Sequence, residues 1–70
     1  MKVSARNVFP GTDERVTPGA VDSEVVTELV PGGIEIVSII TKASAERLGP
    51  TPGAKACAII KAPNVMLGVD

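Results

Sequence analysis

The chain contains no histidine, tryptophan or tyrosine, one phenylalanine and one cysteine among its 70 residues. Each scarcity removes a class of function. The single Cys57 excludes an internal disulfide, and without histidine there is no ordinary zinc site and no imidazole to act as general base. No Gly-x-Ser-x-Gly elbow or Gly-x-x-x-x-Gly-Lys phosphate loop is present, so no enzyme is expected. Phe9 alone cannot supply the aromatic platform on which single-stranded nucleic acid stacks. The net charge of −1 provides no broad field to gather nucleic acid or anionic membrane, and any anion must be held by a few local groups. The apolar runs are too short to span a bilayer, and the opening Met-Lys-Val-Ser-Ala has no apolar signal core. The expectation is a soluble cytoplasmic protein with no metal and no cofactor.

What is present is aliphatic. The chain is 44% hydrophobic, rich in Val, Ile and Ala, which is the composition of a packed β-type domain. A domain of this length buries only about 60% of the surface its unfolded chain exposes, so its core is thin. With no disulfide and no metal, oligomerisation is the remaining way to make up that deficit. No repeat, linker or low-complexity tract divides the chain, and residues 1–70 read as a single domain.

Residues 2–8 are strand-compatible and lead to Phe9-Pro10-Gly11, a turn signal. A polar segment from Thr12 to Thr17 reaches a second turn at Pro18-Gly19. From Val21 to Val30 a strand places Val21, Ser23, Val25, Thr27 and Leu29 on one face and Asp22, Glu24 and Glu28 on the wet one. Pro31-Gly32-Gly33 closes a hairpin to a β-branched strand, Ile34 to Thr41. The only helix signal is Thr41 to Gly49, with Thr41 as N-cap and Gly49 as C-terminal stop. Ala54 to Ala62 alternates as a strand in which Cys57 reads as a buried apolar filler, and Val65-Met66-Leu67 gives a last short one. Ala54, Ala56 and Ala58 form a small-residue face, suited either to close packing in a narrow barrel or to contact with another subunit. About five strands with one short helix after the third or fourth describe an all-β, OB-like Greek-key barrel. That barrel by itself would also allow an OB-type nucleic-acid-binding module, the rival reading.

A tetrahedral oxyanion needs several converging donors, and charged donors count about twice neutral ones. Ser4 and Arg6 lie two apart and share a strand face. Thr41 and Ser44 stand at the first turn of the helix, and Lys61 near a strand end. On residue types alone, each also has an ordinary reading as surface charge, strand filler or cap. Gly19-Ala20-Val21 suits an anion nest or a tight hairpin entry, the hairpin being favoured.

Four segments then tip the balance: Ser4-Ala5-Arg6-Asn7; Gly19-Ala20-Val21-Asp22-Ser23-Glu24-Val25; Ile39-Ile40-Thr41-Lys42-Ala43-Ser44 with Leu48-Gly49; and Ile59-Ile60-Lys61-Ala62 with Asn64-Val65-Met66. In this order the chain resembles a molbindin, the small cytoplasmic molybdate/tungstate-binding (Mop) domain. The resemblance runs nearly end to end. It implies an OB-like barrel, a homohexamer, and storage or buffering of molybdate or tungstate by hydrogen bonds between subunits. It implies ligation by Ser4, Ala5 and Arg6 of the opening motif, Thr41 and Ser44 at the helix start, and Lys61 and Ala62. By the same analogy a second oxyanion site falls near Gly19, Ala20 and Val21. Two departures stand out. The family pattern continues after Ser-Ala-Arg-Asn with Gln and a Gly-x-Val strand, where this chain has Val8 to Arg15, and Pro63 replaces a residue that is often polar.

Overall fold

The computed structural model describes residues 1–30 and 32–70. Strands β1 (Asn7–Pro18), β2 (Asp22–Leu29) and β3 (Glu35–Thr41) are followed by helix α1 (Lys42–Leu48), strand β4 (Lys55–Ile60) and a 3-10 turn (Ala62–Asn64). The strands form one antiparallel sheet in the order β3-β2-β1-β4. The sheet curls into an open half-barrel, in keeping with the OB-like architecture expected. Pro31, expected in the β2–β3 turn, lies outside the described residues.

β1 is the spine. Its first half pairs with β4, from Asn7 opposite Ile60 to Thr12 opposite Lys55. Its second half pairs with β2, from Gly11 opposite Leu29 to Pro18 opposite Ser23. The register slips between Asp13 and Arg15, leaving Glu14 as the extra residue of a β-bulge, which bends the strand from one partner to the other.

The turn expected at Phe9-Pro10-Gly11 is therefore corrected: these residues run through the middle of β1. The Pro10 carbonyl accepts from the Val30 N–H at 3.1 Å. In a strand a residue's N and O point to the same side, so the ring nitrogen faces the end of β2 and no ladder bond to β4 is lost. Gly11 is needed for a different reason. A Cβ there would lie 2.5 Å from the Glu28 carbonyl oxygen and 2.9 Å from Thr27 Cγ2, so glycine lets the two backbones cross closely.

Three further expectations change. The polar segment Thr12–Thr17 is strand, because the bulge and a buried side-chain pair accommodate it. Of residues 2–8 only Asn7 and Val8 are in a strand, since β4 ends at Ile60 and offers nothing for the preceding residues to pair with. Val65-Met66-Leu67 makes no strand: among the described residues of this chain it has no neighbour to ladder with.

The core is as thin as the length implied. Among the described residues only Val25, Val26 and Leu29 are buried apolar groups, joined by buried Asp13, Ser23 and Thr27. The alternation expected for β2 holds, with Ser23, Val25, Thr27 and Leu29 inward and Glu24 and Glu28 exposed. Val26, on the acidic side, is nevertheless covered, and Val21 is exposed. In β4, Ala56, Ala58 and Ile60 are half-buried and Cys57 is exposed. The buried-filler reading of Cys57 is thus overturned, because the inward phase belongs to the alanines.

Candidate functional site

The expected donor residues fall into two groups at opposite ends of the sheet. At the β1 start, Asn7 and Ile60 are the last paired residues. The next residues outward are Arg6 and Lys61, then Ala5 and Ala62, with Ser4 one further. The antiparallel ladder thus brings the opening Ser-Ala-Arg segment and the Lys-Ala pair to one place. Ser4 and Arg6 share that place but not a strand face, since they precede β1. Ser4, Arg6, Lys61 and Ala62 are exposed and Ala5 is half-buried. Among the described residues neither Arg6 nor Lys61 enters an ion pair, the only salt bridges being those of Arg15. Two cationic donors thus stand unneutralised together. The 3-10 turn holds the Lys61 and Ala62 carbonyls, which accept from Asn64 N–H at 2.9 Å and Val65 N–H at 3.2 Å.

The second group forms where β3 enters α1. Thr41 is the N-cap: its hydroxyl oxygen accepts from the Ser44 N–H at 3.1 Å, and its hydroxyl stands 3.0 Å from the Ser44 hydroxyl. Gly49, at φ 63°, closes the helix with its N–H on the Ala45 carbonyl, as the sequence indicated. Thr41 lies opposite Asp22 in the β2–β3 ladder, and the Lys42 N–H donates to the Val21 carbonyl at 2.9 Å. Gly19, Ala20 and Val21 therefore adjoin Thr41 and Ser44. Their backbone forms the β1–β2 turn, with the Gly19 N–H donating to the Asp22 carbonyl at 2.8 Å. Hence the N–H groups of Gly19, Lys42 and Ser44 are engaged within the chain. The donors left at this end among the described residues are the Ala20, Val21 and Ala43 N–H groups, the Ser44 hydroxyl and the Lys42 ammonium.

The distance between the groups decides how they can act. Eleven residue steps separate Asn7 from Pro18, roughly 36 Å for a straight strand, and the chain's longest dimension is 38 Å. A tetrahedral oxyanion needs donors within roughly 3 Å of its oxygens, and the two groups stand at opposite ends of β1.

Two features escaped the sequence. Asp13 is buried at 4% exposure and accepts from the Thr27 hydroxyl at 3.0 Å; an acidic residue in a polar run carries no signal of burial. The curled sheet also encloses an open cleft of about 760 Å³, lined by Val25, Thr27, Ile36, Ile40, Ala56 and Ala58 among others. Among the described residues no group of three or more His, Cys, Asp or Glu is placed to hold a metal ion. On the outer face the neighbouring Glu35 carboxyl raises the Glu14 pKa, chiefly as a hydrogen-bonding partner of the protonated form, helped by desolvation and the like charge. Arg15 lies 3.9 Å from Glu14 and 3.6 Å from Glu35.

Comparison with known proteins adds the following. The TOBE domain model matches residues 3–67. Molybdenum-pterin-binding protein 1 of Clostridium pasteurianum is 42% identical over 67 residues, covering 96% of this chain and 97% of that protein. The apo structure of MopII from Clostridium pasteurianum superposes with a TM-score of 0.91 at 40% identity, over 97% of this chain and 100% of that one. The cytoplasmic molybdate-binding protein ModG, solved with molybdate bound, gives 0.92 at 48% identity, over 100% of this chain and 49% of that one.

Proposed function

Since the chain belongs to the TOBE-domain family and, within it, to the molybdenum-pterin-binding (Mop, molbindin) proteins, we propose that it binds molybdate or tungstate at contacts between copies of itself. It is a binding protein and not an enzyme, as its relatives are named for binding. Its role is to store or buffer the anion in the cytoplasm, and residues 1–70 act as a single Mop domain assembled as a homohexamer.

The observation that carries this reading is the separation of the donors. Ser4, Ala5, Arg6, Lys61 and Ala62 gather at one end of the sheet, and Thr41 and Ser44 at the other. A site using both sets is completed only when one end of a chain meets the other end of its neighbour. The unpaired Arg6 and Lys61 offset the dianion's charge, and the hydroxyls with neighbouring backbone donors orient its oxygens. A second oxyanion site draws on Gly19, Ala20 and Val21, beside Thr41. No metal–protein bond is required: the anion keeps its oxo groups and is recognised by shape, size and charge.

Isothermal titration of the full chain with molybdate, tungstate and sulfate tests the proposal. Strong heats for the first two and weak heat for sulfate are expected; equal or absent heats for all three refute it.

A further inference from the structure

We infer that the outer face of the sheet, centred on Val37 and Ile39, docks a basic amphipathic segment of another protein. The inference goes beyond anion binding and uses none of the residues placed in that site.

Residues directly opposite each other in an antiparallel pair share a face, so the register lays out the outer face row by row. Ile39 lies opposite Glu24, Val37 opposite Val26, and Glu35 opposite Glu28. On the β1 side Thr17 meets Glu24, Arg15 meets Val26 and Thr12 meets Glu28. Val26 is only 2% exposed, because the Arg15 side chain crosses β2 beside it to reach Glu35 at 3.6 Å. Among the described residues nothing does the same for β3: Val37 and Ile39 remain 59% and 62% exposed. Two residues apart on one strand face, they stand roughly 7 Å from each other and form one apolar patch.

The frame around that patch is acidic. Glu14, Asp22, Glu24, Glu28 and Glu35 lie on this face, five of the chain's eight acidic residues. Arg15 is the one basic residue that β1, β2 and β3 contribute. Glu28 directly opposite Glu35 is a like-charge cross-strand pair, an arrangement that costs stability in the isolated chain. Beside them the Glu14 pKa is raised, first by the Glu35 carboxyl as a hydrogen-bonding partner, then by desolvation and the charges of Glu35 and Glu28, against the pull of Arg15. The face therefore holds more negative charge than it neutralises. Charge complementarity selects the occupant: an aliphatic ridge seated on Val37 and Ile39, with Lys or Arg on its flanks to meet Glu24, Glu28 and Glu35. Nucleic acid and anionic membrane are repelled by the same charges. The identical face of a second copy would set like charge against like charge, and a copy's unpaired Arg6 and Lys61 belong to the anion site proposed above. The partner is a different protein.

The probe is a fluorescently labelled synthetic peptide with leucines at the helical period and lysines elsewhere, titrated against the full chain by anisotropy. Two double variants carry the test, Val37→Thr with Ile39→Thr and Glu24→Gln with Glu28→Gln. All four side chains are exposed, and threonine keeps the β-branch that suits a strand. Binding of the peptide is expected to weaken at least tenfold in each double variant. No binding is expected for an analogue with glutamate in place of lysine, or for a lysine peptide without leucine. Unchanged affinity in either double variant, or equal binding of the leucine-free peptide, overturns the proposal. Native mass spectrometry addresses the competing use of the face: the Val37→Thr, Ile39→Thr chain is expected to keep the subunit number of the wild type. A lower number makes the face a contact between copies and overturns docking of another protein. Molybdate titration separates the result from the anion reading, since both double variants are expected to bind molybdate as the wild type does. A loss there ties the face to the anion site and overturns its separate role.

Discussion

The Thr27 hydroxyl donates a 3.0 Å hydrogen bond to the Asp13 carboxylate, and both residues are buried where β1 turns from β4 to β2. Asp13 also ties its backbone to the β4 approach, its N–H donating to the Ala54 carbonyl and its carbonyl accepting from the Gly53 N–H, both at 2.8 Å. The bulge beside it is thereby locked. Thr27→Val leaves a buried carboxylate without its donor, and a loss of about 1–3 kcal/mol is expected. Urea unfolding of the variant checks this; an unchanged midpoint would show the bond to be dispensable.

Gly11→Ala introduces the Cβ that would meet the Glu28 carbonyl at 2.5 Å. Backbone must move to admit it, and a destabilisation of at least about 1–3 kcal/mol is expected from the overpacking. By contrast, Gly68→Ala, where an added Cβ meets nothing within 4 Å, is expected to leave the monomer's fold unchanged. Circular dichroism melts of the two variants give the comparison.

The Glu14 pKa is raised above its ordinary value of 4.5 by the Glu35 carboxyl and by desolvation. The folded state therefore binds this proton more tightly than the unfolded state. The stabilisation is fully present below pH 4.5 and is lost as the pH rises through the higher folded value. Glu14→Gln should remove this component and flatten the stability profile over that window. Denaturant midpoints measured from pH 4 upward for both proteins would reveal it.

Arg6→Ala and Lys61→Ala are expected to weaken molybdate binding at least tenfold without changing the urea midpoint, because both side chains are exposed and enter no ion pair among the described residues. Titration calorimetry beside unfolding curves separates the two effects. Unchanged affinity for either would remove it from the site.

Mixing supplies a sharper test of the divided site. Arg6→Ala chains keep an intact helix end, and Ser44→Ala chains keep an intact β1 end. Unfolded together and refolded, the two variants should regain about a quarter of the wild-type sites through random pairing of intact ends. A site built within one chain would regain none.

Local chemistry made much of the chain legible. Thr41 and Gly49 cap α1 as their side-chain and backbone preferences require, Pro18-Gly19 turns, and the two faces of β2 follow a two-residue period. Pro10-Gly11 misled because the dipeptide serves a crossing as well as a turn, and only the position of Glu28 distinguishes the two. Cys57 misled because strand alternation gives two phases without saying which one faces the core.

The sequence by itself determined the fold class, the thinness of the core, the absence of histidine chemistry and the types of donor available, since these follow from composition and local periodicity. Which donors meet was decided by the tertiary structure alone. The antiparallel register of β1 with β4 sets Arg6 beside Lys61, and that of β2 with β3 sets Val21 beside Thr41. Register couples residues far apart in the chain through backbone hydrogen bonds, and no local pattern encodes it. The same register holds the two groups at opposite ends of the sheet, and on that separation rests the proposal of a site shared between copies.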